Sequence, residues 1–324
     1  MRSVTRKIET LRQATAESHI QAKPETLKRL LSNDVPKKDI LPIARAAGVM
    51  AAKKTPDLLP YCHPIAIDWV EIEFDVQASL IIIRATVEAV AKTGVEMEAL
   101  TAVSVASLTV YDMLKPIDKE IEILNTKLVQ KTGGKSSFIE KIPTGFKAAV
   151  IVTSDSTSKG TRSDRSGRLI EERLRSFGII PDYQVIPDDK VIISSLMLKY
   201  CDSGVHLVLT TGGTGLGPRD VTVEATEAVI EREIPGIMEA ARNFGQRRTP
   251  YAMLSRGVAG QRGNTIIVNF PGSSKGVEES LDAVFPSILH AFKMMRGLGH
   301  DPTISLAVNA ADSIEMNRSK EVVG

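Results

Sequence analysis

The chain has 324 residues, of which 43% are hydrophobic and 25% charged, and its formal net charge is +2. This composition predicts a globular protein with two cores, and it provides no polybasic field for binding nucleic acid or a membrane surface. Cys62 and Cys201 are its only cysteines, no run approaches about 18 apolar residues, and the charged start lacks a signal-peptide core; together these features favour a reducing cytoplasm.

The first half predicts helices mixed with antiparallel strands, which is an α+β layer. Alternating apolar and polar residues, rich in β-branched types, predict strands at 9–22, 69–76, 78–90 and 121–129. Helices are predicted at 24–31, 40–54 and 96–115, the last being the longest of this half. Pro56 and Pro60 are expected to end the second helix.

The second half predicts an α/β fold, because strands alternate with helices. Strands are expected at 148–153, 183–186, 207–210 and 265–269, and helices at 166–177, 192–200 and 275–296, with two more before the last strand. Gly, Ser, Thr, Lys and Pro concentrate between the halves. We therefore predict domains at 1–136 and 147–300, a linker at 137–146, and a tail at 301–324.

A glycine-rich turn follows the predicted strand at 207–210, in the segment HLVLTTGGTGLGPRD. Its glycines are Gly212, Gly213, Gly215 and Gly217. Glycines permit positive φ and let a ligand approach the main chain. A helix beginning near Val221, with Asp220 and Thr222 as candidate caps, would add unpaired amides and a dipole. The pattern predicts a phosphate site, but it is neither Walker A nor GxGxxG, so an ordinary structural turn is the alternative.

Charged residues follow several of the predicted strands in this half. Because ligands bind outside the carboxyl ends of the strands in such a fold, we expect these residues to meet at one edge of the sheet. The group comprises Asp155, Asp164, Asp188, Asp220 and Lys275. Carboxylates beside phosphates indicate Mg²⁺, which binds through one or two carboxylates and substrate oxygens. A helix cap or turn is the alternative for any single Asp.

Four motifs resemble the MogA/MoaB family of molybdenum cofactor biosynthesis over about residues 147–299. They are TTGGTGLGPRD (210–220), SDSTSKGTRSDRSG (154–167), IPGIMEAAR (234–242) and NFPGSSKGVEESLDAVFPSI (269–288). The resemblance implies a mostly parallel, three-layer α/β sheet and a molybdopterin adenylyltransferase. In that reaction the terminal phosphate of molybdopterin attacks the α-phosphorus of ATP, with Mg²⁺, and pyrophosphate leaves.

The resemblance also implies particular residues. The functional carboxylates fall on Asp188 and Asp220, which are expected to act in catalysis and to hold Mg²⁺. Substrate contacts are expected at Asp155, Gly212, Gly213, Thr214, Gly215, Pro271, Gly272, Ser273 and Lys275. Phosphoryl chemistry needs positioning and charge neutralisation more than a covalent nucleophile, and this set offers both. A non-catalytic scaffold or sensor that holds the pterin is the alternative.

Unusual residues of the first half lie in four places: Lys37 with Asp39, YCHP (61–64), KTGVEMEAL (92–100) and YDMLK (111–115). Asp112 and Lys115 share a helix face, whereas Glu96 and Asp112 lie roughly 160° apart at about 100° per residue. One pocket using all of them must therefore combine different subunits; a solvated helix end is the alternative. Apart from the adjacent Cys62, the sequence offers no further His or Cys ligand near His63, so metal binding there is weakly supported.

The segments PIARAAGVMAAKKTPDLLPYCHP (42–64), KTGVEMEALTAVSVASLTVYDMLK (92–115) and LVQKTGGKS (128–136) resemble MoaC, the cyclic pyranopterin monophosphate synthase, over residues 1–136. The resemblance implies a ferredoxin-like α+β domain. It also implies conversion of (8S)-3′,8-cyclo-7,8-dihydroguanosine 5′-triphosphate to cyclic pyranopterin monophosphate and pyrophosphate, with no certain cofactor. The family's functional positions fall on Lys37, Tyr61, Cys62, His63, Glu96, Met97, Asp112, Lys115 and Lys131.

This ring rearrangement needs movable protons and cationic cover for a triphosphate, and a crowded lysine pKa can fall to about 7–8. Our hypothesis is that Lys37 and Lys115 are the acid–base pair, oriented by Asp112, while Lys131 and His63 hold phosphate. One departure from the family is Ser3, which stands where an Asp is expected.

Together the resemblances imply a bifunctional protein of molybdenum cofactor biosynthesis that acts on pterin and nucleotide substrates. Sulfur insertion separates the two reactions, so direct transfer of product between the sites is not expected; recruitment of other enzymes of the pathway is an alternative reason for the fusion. Hexameric synthase domains and trimeric MogA-like domains can share a threefold axis, which predicts a homo-hexamer. An inactive synthase half in a structural assembly is the alternative, for which Ser3 is the only sign.

Overall fold

The computed structural model describes residues 1–138 and 142–297. The chain divides into two compact units, Met1–Ile139 and Glu140–Gly324, which are described separately. The predicted tail at 301–324 lies outside the described residues, as do residues 139–141 of the predicted linker.

The first unit has four strands and three helices, followed by a short 3-10 turn at Lys135–Phe138. The strands are β1 (Thr10–Gln21), β2 (Trp69–Val76), β3 (Leu80–Ala91) and β4 (Glu122–Thr132). The helices are α1 (Pro24–Leu31), α2 (Ile40–Leu58) and α3 (Glu96–Leu114).

The strands form one sheet in the order β2–β3–β1–β4, with every neighbouring pair antiparallel. Burial alternates along β1: Ala14 and Ala16 are buried, whereas Gln13 and Thr15 are partly exposed. Successive side chains of a strand point to opposite faces, so this alternation gives the sheet one core face. Helix α3 packs against β1, β3 and β4. The predicted α+β arrangement is confirmed.

Helix α2 differs from the prediction, which ended it at residue 54. It continues through Pro56 to Leu58 and, at 19 residues, is as long as α3. Pro56 lies in the last turn, so its missing N–H removes one hydrogen bond without interrupting a longer helix. The turn closes normally, with the Leu59 amide donating to the Thr55 carbonyl at 2.9 Å.

Helix α3 is long and apolar enough to cross a membrane by length and composition, with half of its most apolar stretch buried inside the protein. The core helix of a soluble protein passes the same test. In this helix Ala99, Ala102, Val103, Ala106 and Val110 belong to the core of the first unit.

The second unit has six strands and seven helices within its described residues, together with 3-10 turns at Pro250–Leu254 and Ser287–His290. The strands are β5 (Ala148–Thr153), β6 (Asp182–Ile186), β7 (Leu207–Thr211), β8 (Arg232–Glu233), β9 (Ala259–Arg262) and β10 (Thr265–Phe270). The helices are α4 (Asp155–Ser158), α5 (Ser166–Arg175), α6 (Lys190–Asp202), α7 (Thr222–Glu227), α8 (Pro235–Gln246), α9 (Ser274–Val284) and α10 (Ala291–Met295).

The sheet of this unit has the order β6–β5–β7–β10–β9–β8. Its first four strands are parallel, and β9 and β8 extend it in antiparallel fashion. Every residue of β5, β7 and β10 is buried, as expected for strands covered on both faces. The predicted α/β class with a mostly parallel sheet is therefore confirmed, while the short strands β8 and β9 were not predicted.

The single long helix predicted at 275–296 is wrong. Helix α9 ends at Val284, Phe285 is extended with φ −94° and ψ 141°, and α10 begins only at Ala291. A residue that precedes proline is disfavoured in the helical region, and Pro286 follows Phe285 directly. The apolar periodicity runs across the break, which explains the prediction.

Candidate functional site

The glycine turn of the second unit requires glycine at its first two positions. Gly212 has φ +102° and Gly213 has φ +62°. A Cβ on Gly212 would lie 2.2 Å from the Thr153 carbonyl oxygen, and one on Gly213 would lie 2.2 Å from Oγ1 of Thr222. The turn is therefore pressed against the end of β5 and the start of α7, and no other residue type fits without displacement.

The predicted caps of the helix after this turn are wrong. The residue at the cap position of α7 is Val221, no side chain caps the helix, and α7 has only six residues. The Asp220 carboxylate instead turns back and accepts a hydrogen bond from the Gly217 amide at 2.7 Å. So short a helix adds little dipole, which leaves the turn's own amides as its candidate anion-binding groups.

Asp155 and Asp188 meet at the ends of β5 and β6, as the sheet-edge argument predicted. The Asp155 amide donates to Asp188 Oδ2 at 3.0 Å, and the Asp188 amide donates to Asp155 Oδ1 at 3.2 Å. Arg219, from the glycine turn, donates to both carboxylate oxygens of Asp155 at 2.7–3.1 Å. The turn and the two strand ends thus form one polar cluster.

The two carboxylates of this cluster differ in charge balance. The hydrogen bonds from Arg219 hold the pKa of Asp155 below its usual value. Burial raises the pKa of Asp188, and the charges of Asp155 and Asp220 raise it further. The Asp155 amide and the charge of Arg219 lower the pKa of Asp188, but burial and the neighbouring carboxylates outweigh them, so Asp188 is the less compensated of the two.

Asp164 has a local structural role, which is the alternative considered above. Its Oδ1 accepts hydrogen bonds from Ser166 Oγ and the Gly167 amide, both at 3.0 Å, at the start of α5. Its Oδ2 accepts the Tyr183 hydroxyl. The predicted convergence thus applies to Asp155 and Asp188, with Asp220 near enough to affect Asp188. Asp164 lies at the same edge, where it lines a cavity with Ser154 and Gly212, but its carboxylate is bonded to the start of α5 and to Tyr183.

No group of three or more His, Cys, Asp or Glu side chains within residues 1–138 and 142–297 is placed to hold a metal ion. Mg²⁺ does not require one, because it is usually bound through one or two carboxylates and substrate phosphates. The Asp188 carboxylate, whose raised pKa shows that its charge is only partly compensated, and the nearby charge of Asp220 fit a divalent cation that arrives with a nucleotide.

Two cavities meet at Ser273, the residue that caps α9 through a hydrogen bond from the Gly276 amide to its Oγ at 3.1 Å. One cavity, of about 530 Å³, is polar and is lined by Ser154, Thr157, Arg162, Gly212 and Gly272, among others. The other, of about 390 Å³, is more apolar and includes Met238, Tyr251, Pro271, Ser255 and Lys275. The predicted residues Gly212, Pro271, Gly272, Ser273 and Lys275 therefore line one or both cavities.

In the first unit, Lys37, Asp112 and Lys115 form one cluster at the end of α3. Asp112 Oδ2 lies 2.7 Å from Lys37 Nζ, and Asp112 Oδ1 lies 2.7 Å from Lys115 Nζ. The hydrogen bonds from Lys115 and Lys37 lower the pKa of Asp112 to about 2. Asp112 in turn raises the pKa of Lys115, which is the opposite of the lowered lysine pKa expected from crowding.

Glu96 and Lys131 form a second cluster at the other end of α3, with Glu96 Oε1 3.2 Å from Lys131 Nζ. The buried Arg12 lies close enough to this cluster for the charge of Glu96 to raise its pKa. Burial has the larger effect, so the pKa of Arg12 is lowered overall. The sixteen residue-to-residue steps from Glu96 to Asp112 correspond to about 24 Å of helix. One chain therefore presents two separate clusters.

The remaining predicted residues of the first unit surround the start of α3 or lie on the surface. Tyr61 is 78% exposed and Met97 41% exposed, whereas Cys62 and His63 are half-buried. Burial raises the pKa of the Cys62 thiol, and the charge of Glu98 adds to this effect. The hydroxyl of Ser3 bonds to Thr5 Oγ1 at 3.1 Å.

Sequence reasoning missed Glu98. It is 2% exposed, its Oε1 has no hydrogen-bond partner among the described residues, and burial raises its pKa. A signal was present: Glu98 precedes Ala102, Ala106 and Val110 at spacings of four, so it occupies the buried face of α3. Arg219 and Arg256, which hold the glycine turn, were missed because their partners are distant in sequence or are backbone atoms.

Comparison with known proteins agrees with these two units. Residues 1–134 match the MoaC family, and residues 149–290 match the probable molybdopterin binding domain. A molybdenum cofactor biosynthesis bifunctional protein of Chlorobaculum tepidum is 42% identical over 301 residues, covering 93% of this chain and 96% of that protein. The cyclic pyranopterin monophosphate synthase of Roseiflexus sp. is 54% identical over 138 residues, covering 42% of this chain and 87% of that protein.

Among solved structures, the molybdopterin biosynthesis enzyme MoaB of Thermus thermophilus is 44% identical and covers 47% of this chain and 97% of its own, with a TM-score of 0.45. Sequence identity along nearly the whole length, with one family in each unit, confirms the two resemblances drawn from the motifs. The chain belongs to the family of bifunctional molybdenum cofactor biosynthesis proteins, with a MoaC-family unit followed by a unit that matches the probable molybdopterin binding domain.

Proposed function

We propose that the first unit is a cyclic pyranopterin monophosphate synthase. The observation that carries this proposal is the cluster of Lys37 and Lys115 on Asp112, which places two proton-carrying groups beside one fixed carboxylate. The activity is also the one that the name of the Roseiflexus relative gives to that protein. A rearrangement that opens one ring, closes another and releases pyrophosphate needs proton-carrying side chains held at fixed positions around the substrate.

Asp112 raises the pKa of Lys115 and so keeps its Nζ in the ammonium form at rest. We propose that Lys115 donates a proton from Nζ only once the bound substrate weakens its ion pair with Asp112, because a raised pKa makes the ammonium a weaker acid. Lys37 shares the same carboxylate and is the proposed partner in returning the proton. Lys131 and His63 remain the proposed phosphate ligands, with Tyr61, Cys62, Glu96 and Met97 as further substrate contacts.

We propose that each synthase pocket combines two copies of the chain. The two clusters lie at opposite ends of α3, separated by about 24 Å of helix, so we propose that each pocket takes one end from each of two chains. A Lys115→Ala copy and a Glu96→Gln copy are each expected to be inactive. Mixing and reassociating them should restore part of the activity, because some pockets then receive both intact ends. No recovery in the mixture would contradict shared pockets.

The predicted homo-hexamer extends this proposal. Trimeric association of the second unit and shared pockets in the first are both compatible with one threefold axis and perpendicular twofold axes. Light scattering of the full chain should give six times the chain mass of 35.1 kDa. A monomeric mass at assay concentration would exclude both the hexamer and the shared pockets.

We propose that the second unit adenylylates molybdopterin with Mg-ATP. The supporting observation is the pair of cavities that meet at Ser273. The polar cavity suits the nucleotide and its phosphates, and the apolar cavity suits a flat pterin ring. A substrate in each would bring two phosphate groups together at the capped start of α9, beside Lys275.

In the proposed reaction an oxygen of the molybdopterin phosphate forms a bond to the α-phosphorus of ATP, and the bond from that phosphorus to the pyrophosphate oxygen breaks. Asp188, with Asp220, would hold Mg²⁺, which neutralises charge on the nucleotide phosphates. Gly212, Gly213, Thr214 and Gly215 would bind phosphate through main-chain amides, while Ser273 and Lys275 cover the phosphate from α9. Asp155, held by Arg219, fixes the position of Asp188.

Two separate assays test these activities. One follows pyrophosphate release from the cyclised GTP derivative, and the other follows adenylylated molybdopterin formed from ATP, molybdopterin and Mg²⁺. The scaffold alternative predicts that molybdopterin binds tightly, with no Mg²⁺-dependent product in the second assay. Lys275→Ala should weaken molybdopterin binding, whereas Lys190→Ala, at the exposed start of α6, is the matched control.

A further inference from the structure

Arg256 lies behind the glycine turn at 212–220 and bonds to its carbonyl oxygens. Its Nε donates to the Gly215 carbonyl at 2.7 Å, and its Nη2 donates to the Asp220 carbonyl at 2.8 Å. Its own backbone amide donates to the Thr214 carbonyl at 3.0 Å. Arg256 follows the 3-10 segment Pro250–Leu254, far along the chain from the glycine turn. It therefore contacts the glycine turn both near its start and at its end.

Glu224 fixes the guanidinium from the other side. Its Oε1 accepts Nη1 of Arg256, and the pair lowers the pKa of Glu224 below its usual value. Glu224 lies in α7, the helix that follows the turn, so the ion pair ties Arg256 to both the turn and the next element. The second oxygen, Oε2, is buried with no partner among the described residues, so this carboxylate is held by Arg256.

These bonds determine the direction of the turn's amides. In a trans peptide the C=O and the following N–H point in opposite directions within one plane. Because the carbonyls of Thr214, Gly215 and Asp220 point at Arg256, the amides of Gly215, Leu216 and Val221 point away from it. Amides that point away from the Arg256 guanidinium are free to bind an anion on the opposite side of the turn.

We propose that Arg256 is a positioning residue that holds the glycine turn in its phosphate-binding conformation without touching the substrate. This inference rests on the proposed adenylyl transfer for its kinetic consequence. Its structural consequence is independent of that function, since the three carbonyl contacts fix the turn whether or not transfer occurs. Glu224 acts through Arg256 in the same way.

The test compares Arg256→Gln and Arg256→Lys with Arg262→Gln in the full-length protein. Arg262 is a matched control: its side chain is 35% exposed against 32% for Arg256, and it also donates to a backbone carbonyl, that of Val229 at 3.1 Å, beside a carboxylate. Hydrogen exchange of peptides covering 212–221 measures how readily the amides of the glycine turn open. Steady-state kinetics with molybdopterin and Mg-ATP measure how far catalysis depends on the conformation of the turn.

In Arg256→Gln we expect amide exchange across 212–221 to accelerate roughly tenfold, the effect of losing one net hydrogen bond. We expect kcat/KM for molybdopterin to fall about 100-fold, as for a displaced binding group. Arg256→Lys keeps the charge but not the fork of donors, so it should be intermediate. Added guanidinium ion should partly restore Arg256→Gln, a response that general destabilisation would not give. Arg262→Gln should change neither measurement.

Unchanged exchange across 212–221 in both Arg256 variants would overturn the proposal, whatever the kinetics show. Accelerated exchange with unchanged kcat/KM would overturn the phosphate-binding role of the turn. If the unsubstituted protein makes no adenylylated product, the proposed function fails, and molybdopterin titration of the same variants then decides whether the turn binds the phosphate. If Arg256→Gln does not fold, the Arg256→Lys result decides.

Discussion

Asp155 and Asp188 each donate a backbone amide to the other's carboxylate, so the carboxyl ends of β5 and β6 are locked together. Arg219 forms an ion pair with Asp155 through two nitrogens, and its charge also lowers the pKa of Asp188, though burial outweighs that effect. The result is asymmetric: Asp155 is ion-paired within the chain, whereas Asp188 is half-buried and forms no ion pair with the described residues. This asymmetry separates a structural carboxylate from a proposed metal-binding one, a distinction that the sequence alone does not make.

Asp188→Asn tests that asymmetry through pH. Because burial raises the folded-state pKa of Asp188, its ionised form costs stability. That cost is absent below the unfolded pKa of 3.8 and appears as pH rises through the folded pKa. We expect the variant to unfold at a higher temperature than the unsubstituted protein at about pH 7, with the difference vanishing near pH 3. Adenylyl transfer should fall roughly 100-fold.

Asp189→Asn is the control for that measurement. Asp189 caps α6 by accepting the Val191 and Ile192 amides, and asparagine caps a helix as well as aspartate. It should leave both unfolding temperature and transfer nearly unchanged. Asp188→Asn with full transfer activity would remove Asp188 from the proposed metal site.

The sequence predicted most of the fold because β5, β7 and β10 are fully buried runs and burial alternates along β1 and β3. β5 was predicted at its observed bounds, since six consecutive apolar or small residues leave little choice. β8 and β9 were not predicted, because two- and four-residue strands exist only through their pairing with β10 and with each other. Such pairing is tertiary information that local periodicity does not contain.

Part of the site was also predicted, because the order of strands and helices along the chain determines which strand ends meet. Strand ends of a parallel sheet share one edge, so the meeting of Asp155 and Asp188 follows from topology. The roles of Asp164 and Asp220 did not follow, because each carboxylate bonds to its own turn or helix start. Arg256 and Glu98 were missed, since their importance lies in burial and in backbone partners.

Gly213→Ala tests the strain of the glycine turn. The added Cβ meets Thr222 Oγ1 at 2.2 Å, and φ is +62°, a region that costs a non-glycine residue about 1–2 kcal/mol. We expect destabilisation of the second unit by at least that amount and loss of molybdopterin binding. Calorimetry and titration with molybdopterin measure the two effects.

Gly236→Ala is the matched control, because its Cβ would meet nothing within 4 Å at the start of α8. Alanine is the better helix former, so this substitution should stabilise the unit slightly and leave binding intact. If Gly213→Ala behaved like Gly236→Ala, the turn would not need glycine at that position.

Asp112→Asn tests the charge cluster of the first unit. The folded pKa of about 2 lies below the ordinary 3.8, so the ion pairs stabilise the protein above pH 3.8 and this contribution is lost as pH falls through about 2. The effect on unfolding should be small, because the Asp112 side chain is 54% exposed and solvent screens the pairs. Synthase activity should fall about 100-fold, since Lys115 loses its orienting partner.

The control for Asp112→Asn is Asp57→Asn, which removes another exposed pair with a lysine three residues away, Lys54, at 3.2 Å. It should match the small stability effect and keep full synthase activity. Equal activity loss in both variants would indicate that surface charge in general, and not the Lys37–Asp112–Lys115 cluster, supports turnover.

Glu98→Gln tests the buried carboxyl of α3. Burial raises the folded pKa of Glu98 above its usual 4.5, so the protonated form is favoured in the folded protein and the stability it provides is lost as pH rises through the folded pKa. Glutamine mimics the protonated shape without a charge. We expect unfolding temperatures of variant and unsubstituted protein to coincide near pH 4 and to diverge in favour of Glu98→Gln towards about pH 8.

Glu122→Gln, at the exposed start of β4, is the control and should show no such divergence. If Glu98→Gln is stabilised and also loses synthase activity, the buried charge serves the reaction at the expense of stability. If the plots of unfolding temperature against pH are parallel for the two proteins, Glu98 does not titrate in that pH range.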